Sequence, residues 1–515
     1  MKNCMKHILL AVAVFVLTAC GGASVPEKYT DSKKLPEIYP DYTEVTVPVN
    51  IAPLSMELMQ QADNVVTRYS FNTEEIVCGG KRAMPDLDDW HQLAAKAKGN
   101  AIQVEVFAEN DGKWTRFKPF NIYVSPDSID PYISYRLISP SYVTYEDLTI
   151  NQRGLENYWE QAIYDNMLCG DEINGQCINC HNYQMYNPRR MQFHARQKNG
   201  GTVIMYDGQI KKVNMLNDSI LSAGVYPSWH PWLKLIAYST NKTMQSFHTL
   251  DINKIEVLDS ESDLIVYDVD RNEVMNIEND PHEFEVYPFW APDGKYLYYC
   301  SAHFEYEADT VNTAETIARA YEIKYNLYRK AFDVEKREFG PRELVFDAAG
   351  MDKSVTLPRI SPDGRWLLLS LGGWGCFHIW HRDADLWLMD LAPSSSPSGS
   401  SEEGQLFPIR PLTECNSDNV ESYHTWSSNG KWIMFSSRRD DGVYTRPFIA
   451  HMENGKGTKP FELPTEDPDY HRQLMKSYNI PEFMKGRVED FTPQEIAKVL
   501  KEAVDPVEYV QHLNK

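Results

Sequence analysis

Tyr287-Pro288-Phe289-Trp290-Ala291-Pro292-Asp293-Gly294-Lys295 is the stretch from which the architecture of this chain is read. Its aromatic residues anchor a strand, its Pro-Asp-Gly supplies the positive-φ turn of a tight hairpin, and the apolar run Tyr296 to Ser301 returns as the next strand. The unit recurs. Tyr226-Pro227-Ser228-Trp229 leads into Leu235 to Ser239, Leu357-Pro358-Arg359-Ile360 into Trp366 to Ser370, and Tyr423-His424-Thr425-Trp426 into Trp432 to Ser437. Further strands follow each hairpin, among them Leu264 to Asp268 and Leu386 to Asp390. Four copies of one supersecondary unit mark a repeat architecture, in which each unit buries its apolar face against the next.

The copies begin at residues 226, 287, 357 and 423, a spacing longer than the usual blade of roughly 40 to 50 residues, so each carries extra loop. The motif resembles the WD40-like Pro-Asp-Gly repeats of TolB-type β-propellers over residues 200–470. That resemblance implies a mainly β fold with a propeller of five or six blades. The strands Thr202 to Met205 and Lys211 to Met215 are expected to complete a further blade.

Outside the repeats, residues 41–150 are expected to form a small β-sandwich-like domain. Ile102 to Val106 alternates with period two, Asn110-Asp111-Gly112 signals a hairpin, Trp114 to Val124 returns, and a short helix interrupts at about Asp86 to Lys98. Residues 151–199 are expected to be a helical segment, because Leu155, Tyr158, Trp159, Ala162, Ile163 and Met167 recur at spacings of three and four. Residues 471–515 are expected to be a helical tail, with a helix starting at Thr492-Pro493-Gln494-Glu495 and running to about Ala503. Pro393 to Gly404 is Ser-rich and expected as a solvated loop.

The N-terminus has Lys2 and Lys6, an apolar run Ile8 to Val16 too short to span a bilayer, and Leu17-Thr18-Ala19-Cys20. This predicts a secretory signal over residues 1–19. Leu-Thr-Ala-Cys also resembles the lipobox of bacterial lipoproteins, which implies lipidation of Cys20 and a Gly-, Ser- and Pro-rich tether over residues 20–40. With 515 residues, 42% hydrophobic and 24% charged, the chain has the composition of a globular protein of two or three domains. A net charge of −22 argues against nucleic acid as a partner, since phosphate binding needs a basic footprint.

Once Cys4 is removed with the signal and Cys20 is set aside, seven of the nine cysteines remain, an odd number for a disulfide framework. Cys177-Ile178-Asn179-Cys180-His181 is the sharpest chemical motif. Cys-x-x-Cys-His is the attachment signature of c-type haem: two thiols one helical turn apart bond the macrocycle and the adjacent His ligates iron. Met185, Met191 and His194 are then the candidate sixth ligands. Zinc held with Cys169 and His194, a structural disulfide and a redox pair are the competing uses of the same cysteines. Within the repeats His378, His381 and His424 are the candidate propeller ligands, with Cys376-Phe377-His378-Ile379-Trp380-His381 the densest group; His230, His248 and His303 read equally as turn residues. There is no Gly-x-Ser-x-Gly elbow, no zincin motif, no Walker A and no dinucleotide fingerprint.

The blades together with Cys177 to His194 resemble a family of Gram-negative predicted lipoproteins, labelled cytochrome c or cytochrome c biosynthesis proteins. The resemblance implies a periplasm-facing, lipid-anchored protein with one covalent haem c, transferring electrons to redox or envelope protein partners that dock on the propeller. The alternatives are a non-catalytic envelope scaffold with a structural cysteine cluster, and a haem enzyme with an open axial position.

Overall fold

The computed structural model describes residues 23–140, 147–170, 176–248, 250–308, 310–392 and 407–513. Cys20, the signal segment 1–19 and the Ser-rich Pro393 to Gly404 lie outside the described residues. The chain is mainly β, and its described residues divide into two compact units, one within residues 23–45, 52–126 and 464–470, the other within residues 46–51, 127–463 and 471–513. Among the described residues no helix is long and apolar enough to cross a membrane.

The smaller unit is an antiparallel sheet centred on Ala101–Asn110, with Asn64–Phe71 on one side and Phe120–Ser125 and Lys113–Arg116 on the other. Asp111 and Gly112 both take positive φ, the type I′ geometry that the Asn-Asp-Gly signal predicts. The expected helix is Leu87–Lys96, capped by the Asp86 carboxylate, and it buries Trp90 edge-on to Tyr69. Two boundaries differ from expectation. The supposed tether is partly structured, because Thr30–Asp31 pairs in parallel with Lys113–Arg116 and Asp31 accepts from Arg116. Residues 127–150 belong to the larger unit, so the small domain ends near Pro126.

In the larger unit, six successive groups of antiparallel strands, two of them joined into one sheet through Ser262 and Phe284, each begin with a strand that lies beside the first strand of the next. These first strands are β1 (Gln176–Tyr183), β2 (Gly224–Trp229), β3 (Glu283–Trp290), β4 (Ser354–Ile360), β5 (Glu421–Trp426) and β6 (Ser477–Met484). β6 lies beside β1, and the ring closes. Each is extended outward by three or more strands; for β1 these are Arg190–Gln197, Gly201–Tyr206 and Gln209–Asn214. The sheet of β6 draws its other strands, Tyr132–Ile138, Thr149–Gly154 and Glu160–Asp165, from the opposite end of this unit's sequence. The strands expected at Thr202 to Met215 are therefore present, as Gly201–Tyr206 and Gln209–Asn214, and the unit is mainly β.

Two helical expectations fail here. Residues 155–167 form the strand Glu160–Asp165 and a short 3-10 turn, with Met167 exposed. Pairing with Thr149–Gly154 satisfies that backbone, and sheet pairing outweighs a three–four spacing of apolar residues over so short a stretch. In the tail, the helix Pro493–Lys501 carries its Thr492–Glu495 capping box as expected, but Ser477–Met484 is a ring strand.

Candidate functional site

All six ring strands share one irregularity. Each has a residue in the left-handed region at the same place: Cys180 (φ 57), Tyr226 (50), Tyr287 (55), Leu357 (54), Tyr423 (49) and Ile480 (52). The ladder to the next strand shifts register there in every case. These are β-bulges, and bulky residues hold positive φ only where the surroundings over-determine it. After each bulge comes Pro or His, then a variable residue, then an aromatic or Ile. Cys180-His181-Asn182-Tyr183 and Ile480-Pro481-Glu482-Phe483 are thus the fifth and sixth copies of the repeat. The first lacks the proline and the second lacks the Asp-Gly turn, which is why the sequence hides them.

The repeat reassigns the cysteine motif. Cys180 occupies the place of Tyr226 and Tyr287, and His181 the place of Pro227 and Pro288, in an extended strand paired to Arg190–Gln197. The expected helical turn between two thiols does not exist there. Cys177 packs at the edge of an apolar cluster with Ile163, Met191 and Phe193, whereas Cys180 and His181 border a separate small space of about 340 Å³ with Tyr226 and Tyr287. His181 is buried beside Arg136, and burial first, the Arg136 charge second, pull its pKa down to about 3. Met191 is a core residue, His194 bonds Thr202 Oγ1 through Nδ1 at 3.2 Å, and Met185 is exposed at a turn. Among the described residues no three His, Cys, Asp or Glu side chains are arranged to hold a metal. Cys177 does not share the space that Cys180 and His181 line, so the three residues as folded do not present one face to a covalently attached haem.

The remaining histidine candidates are hydrogen-bonded parts of the framework. His424 Nε2 pairs with the Leu368 carbonyl at 3.1 Å and His230 Nε2 with the Gly294 carbonyl at 3.1 Å. His378 Nδ1 meets Thr356 Oγ1 at 3.1 Å, and His381 Nε2 meets Glu256 Oε2 at 2.5 Å. His378 and His381 do come together, 5.5 Å between rings, near the start of β4 and under the long Leu235–Phe247/Ile255–Asp268 hairpin that contributes Glu256. Burial, and then His381, hold His378 well below the usual imidazole range.

A concavity opens where the first strands end, with about 690 Å³ of empty space including its open mouth. The variable position of all six copies lines it: Asn182, Ser228, Phe289, Arg359, Thr425 and Glu482. The aromatic or Ile position of each copy forms its outer wall. The constant positions build the scaffold; the one position that changes faces the cavity. Arg359 and Glu482 are the two charged side chains in this lining. The Arg359 guanidinium donates from Nη1 to the Pro358 carbonyl at 3.1 Å and lies 5.1 Å from the Phe289 ring centre. Burial disfavours its charge, which Glu482 partly restores. Glu482 accepts from Asn182 Nδ2 at 3.1 Å; burial raises its pKa, and Arg359, Asn182 and Thr425 act against that rise. The two influence each other through space without forming an ion pair. Sequence inspection for titratable motifs passes over these residues. The signal that finds them is within-repeat variability, once six copies are aligned.

No family model and no curated protein matches the chain. Among solved structures it is similar to one of two prolyl endopeptidases studied for inter-domain dynamics, at 9% identity and a TM-score of 0.33, covering 65% of this chain and 42% of that one. It is also similar to an ancestral GH74 enzyme, at 10% identity and a TM-score of 0.23, covering 85% of this chain and 78% of that one. The chain thus spans less than half the length of the prolyl endopeptidase, and likenesses this distant add nothing to the description of the site.

Proposed function

We propose that the larger unit is a six-bladed β-propeller closed by β6, and that the protein is a binding module, held in the cell envelope through Cys20, which takes a small ligand in the axial cavity. The cysteine motif is then blade packing. The observation that supports this is the convergence of six equivalent, chemically different side chains on one cavity, while the constant repeat positions are spent on strand and turn. Concave sites with apolar walls and a few placed polar groups are where small ligands bind.

The test has two arms on the full-length protein. Expression with c-type maturation machinery followed by a pyridine haemochrome assay is expected to give no haem band; a stoichiometric band would restore electron transfer. A ligand-observed NMR screen with a mixed set of amino acids, sugars, nucleosides and carboxylic acids is expected to give hits that disappear in Arg359→Met. Hits indifferent to Arg359→Met and Phe289→Ala, or no hits at all, would overturn the cavity as the site.

A further inference from the structure

The two charges in the cavity constrain what it accepts. The Arg359 guanidinium has a single hydrogen bond among the described residues, to the neighbouring Pro358 carbonyl, and no ion-pair partner among them. A half-buried guanidinium in that state retains donors for an anion, and a planar carboxylate matches its fork. Glu482, carried on β6 and separated from β4 by β5, is the only acid in the lining and keeps acceptor capacity beyond Asn182. The pair feels its mutual charge but leaves a gap between the groups. An inorganic anion would serve Arg359 and leave Glu482 facing a like charge; a simple cation would do the reverse. Phe289 and, in the outer wall, Trp290, Trp426 and Phe483 add apolar surface to the same lining, which favours a ligand with an apolar body.

Resting on the axial cavity as the binding site, we infer that its ligand is a small zwitterion with an apolar side chain, a free α-amino acid or a short peptide, whose carboxylate sits on Arg359 and whose ammonium sits on Glu482. Each ligand charge then replaces water at a protein charge of opposite sign. Binding is selective against molecules that carry only one of the two, because the other protein charge is left desolvated and unpaired.

Isothermal titration of the full-length protein with L-phenylalanine, N-acetyl-L-phenylalanine, L-phenylalanine amide and L-phenylalanyl-L-phenylalanine tests this directly. The free amino acid or the dipeptide is expected to bind, and whichever is tighter identifies the source. The acetylated and amidated forms are expected to bind at least about tenfold more weakly. Glu482→Gln should abolish discrimination against acetylation only, and Arg359→Met discrimination against amidation only. Should either variant fail to fold, the four-ligand series on the native protein decides alone. Equal affinity for blocked and free forms would overturn the zwitterion. Absence of binding by all four, with other screened compounds still lost in Arg359→Met, would overturn the zwitterion and leave the cavity standing. Absence of every compound would remove the cavity itself.

Discussion

β1 and β3 follow the same backbone course with almost no side chain in common. In β3, Tyr287 at the bulge is buried and donates its hydroxyl to the Cys376 carbonyl at 3.0 Å, Pro288 fixes the next residue, and Trp290 closes against Phe332 and His230. In β1 the same three places hold Cys180, His181 and Tyr183. The lesson is that the bulge is set by the ring, through the neighbouring first strands and the ladder, and the residue at the bulge is chosen only to fill the space left to it. A chemically suggestive string can therefore arise wherever small residues are needed in such a place.

The largest effect that would break this equivalence is in truncation. Tyr287→Ala removes a buried ring and a hydrogen bond and is expected to cost about 4 kcal/mol of stability. Cys180→Ala, at the matching place, is expected to cost about 1 kcal/mol, since only a thiol is lost. Chemical denaturation of both variants measures the ratio, and an inverted order would show that Cys180 has a role beyond packing.

A second comparison lies across the ring strands at their start. Glu285 of β3 is fully buried, neither carboxylate oxygen has a hydrogen-bond partner, and burial, then Asp263 and other nearby acids, push its pKa up to about 10. In β1 the matching part of the strand carries no acid: Gln176 and Ile178 are buried and the strand's titratable His181 shifts the other way. The signs follow. The raised Glu285 contributes stability that is fully present below the unfolded value near 4.5 and lost as pH rises through about 10. The depressed His181 contributes stability present above 6.5 and lost as pH falls towards about 3. Glu285→Gln is thus expected to stabilise by on the order of 2 kcal/mol at pH 8 and by little at pH 4.5, read from denaturation curves at the two pH values. A gain that does not shrink on acidification would contradict a neutral, buried Glu285.

The smallest effect is the most discriminating. Four of the six copies place Pro where β1 has His181, so the ring needs no backbone N–H there. His181→Pro is expected to cost no more than about 1 kcal/mol, whereas Ile178→Pro, within the regular ladder opposite Ala195, is expected to cost about 3 kcal/mol or more. Equal damage from the two prolines would separate β1 from the other copies.

Four copies were legible in the sequence because Trp229, Trp290 and Trp426, or the Pro-Asp-Gly turn after Ile360, make them conspicuous. The other two were not, because Tyr183 and Phe483 anchor strands that end in unrelated turns. The hairpin at Asp111-Gly112 and the capped helices Leu87–Lys96 and Pro493–Lys501 were legible from local chemistry alone. Tyr132–Ile138 and Ser477–Met484 were not, since what makes them neighbours is a partner more than three hundred residues away in the chain. The same holds for the cavity: Arg359 and Glu482 are unremarkable residues until the ring brings six strands to one axis.

The seam between β6 and Tyr132–Ile138 also fixes an order of events. Until residues 477–484 have emerged, Tyr132–Ile138 presents an unsatisfied sheet edge and the circle of first strands has a gap between β5 and β1. Closure joins segments from the two ends of the larger unit, so it is a late, slow step compared with formation of any single hairpin. A chain made from its N-terminus would thus reach its final form only after nearly all of it has emerged, and would depend until then on whatever shields that open edge from other nascent chains.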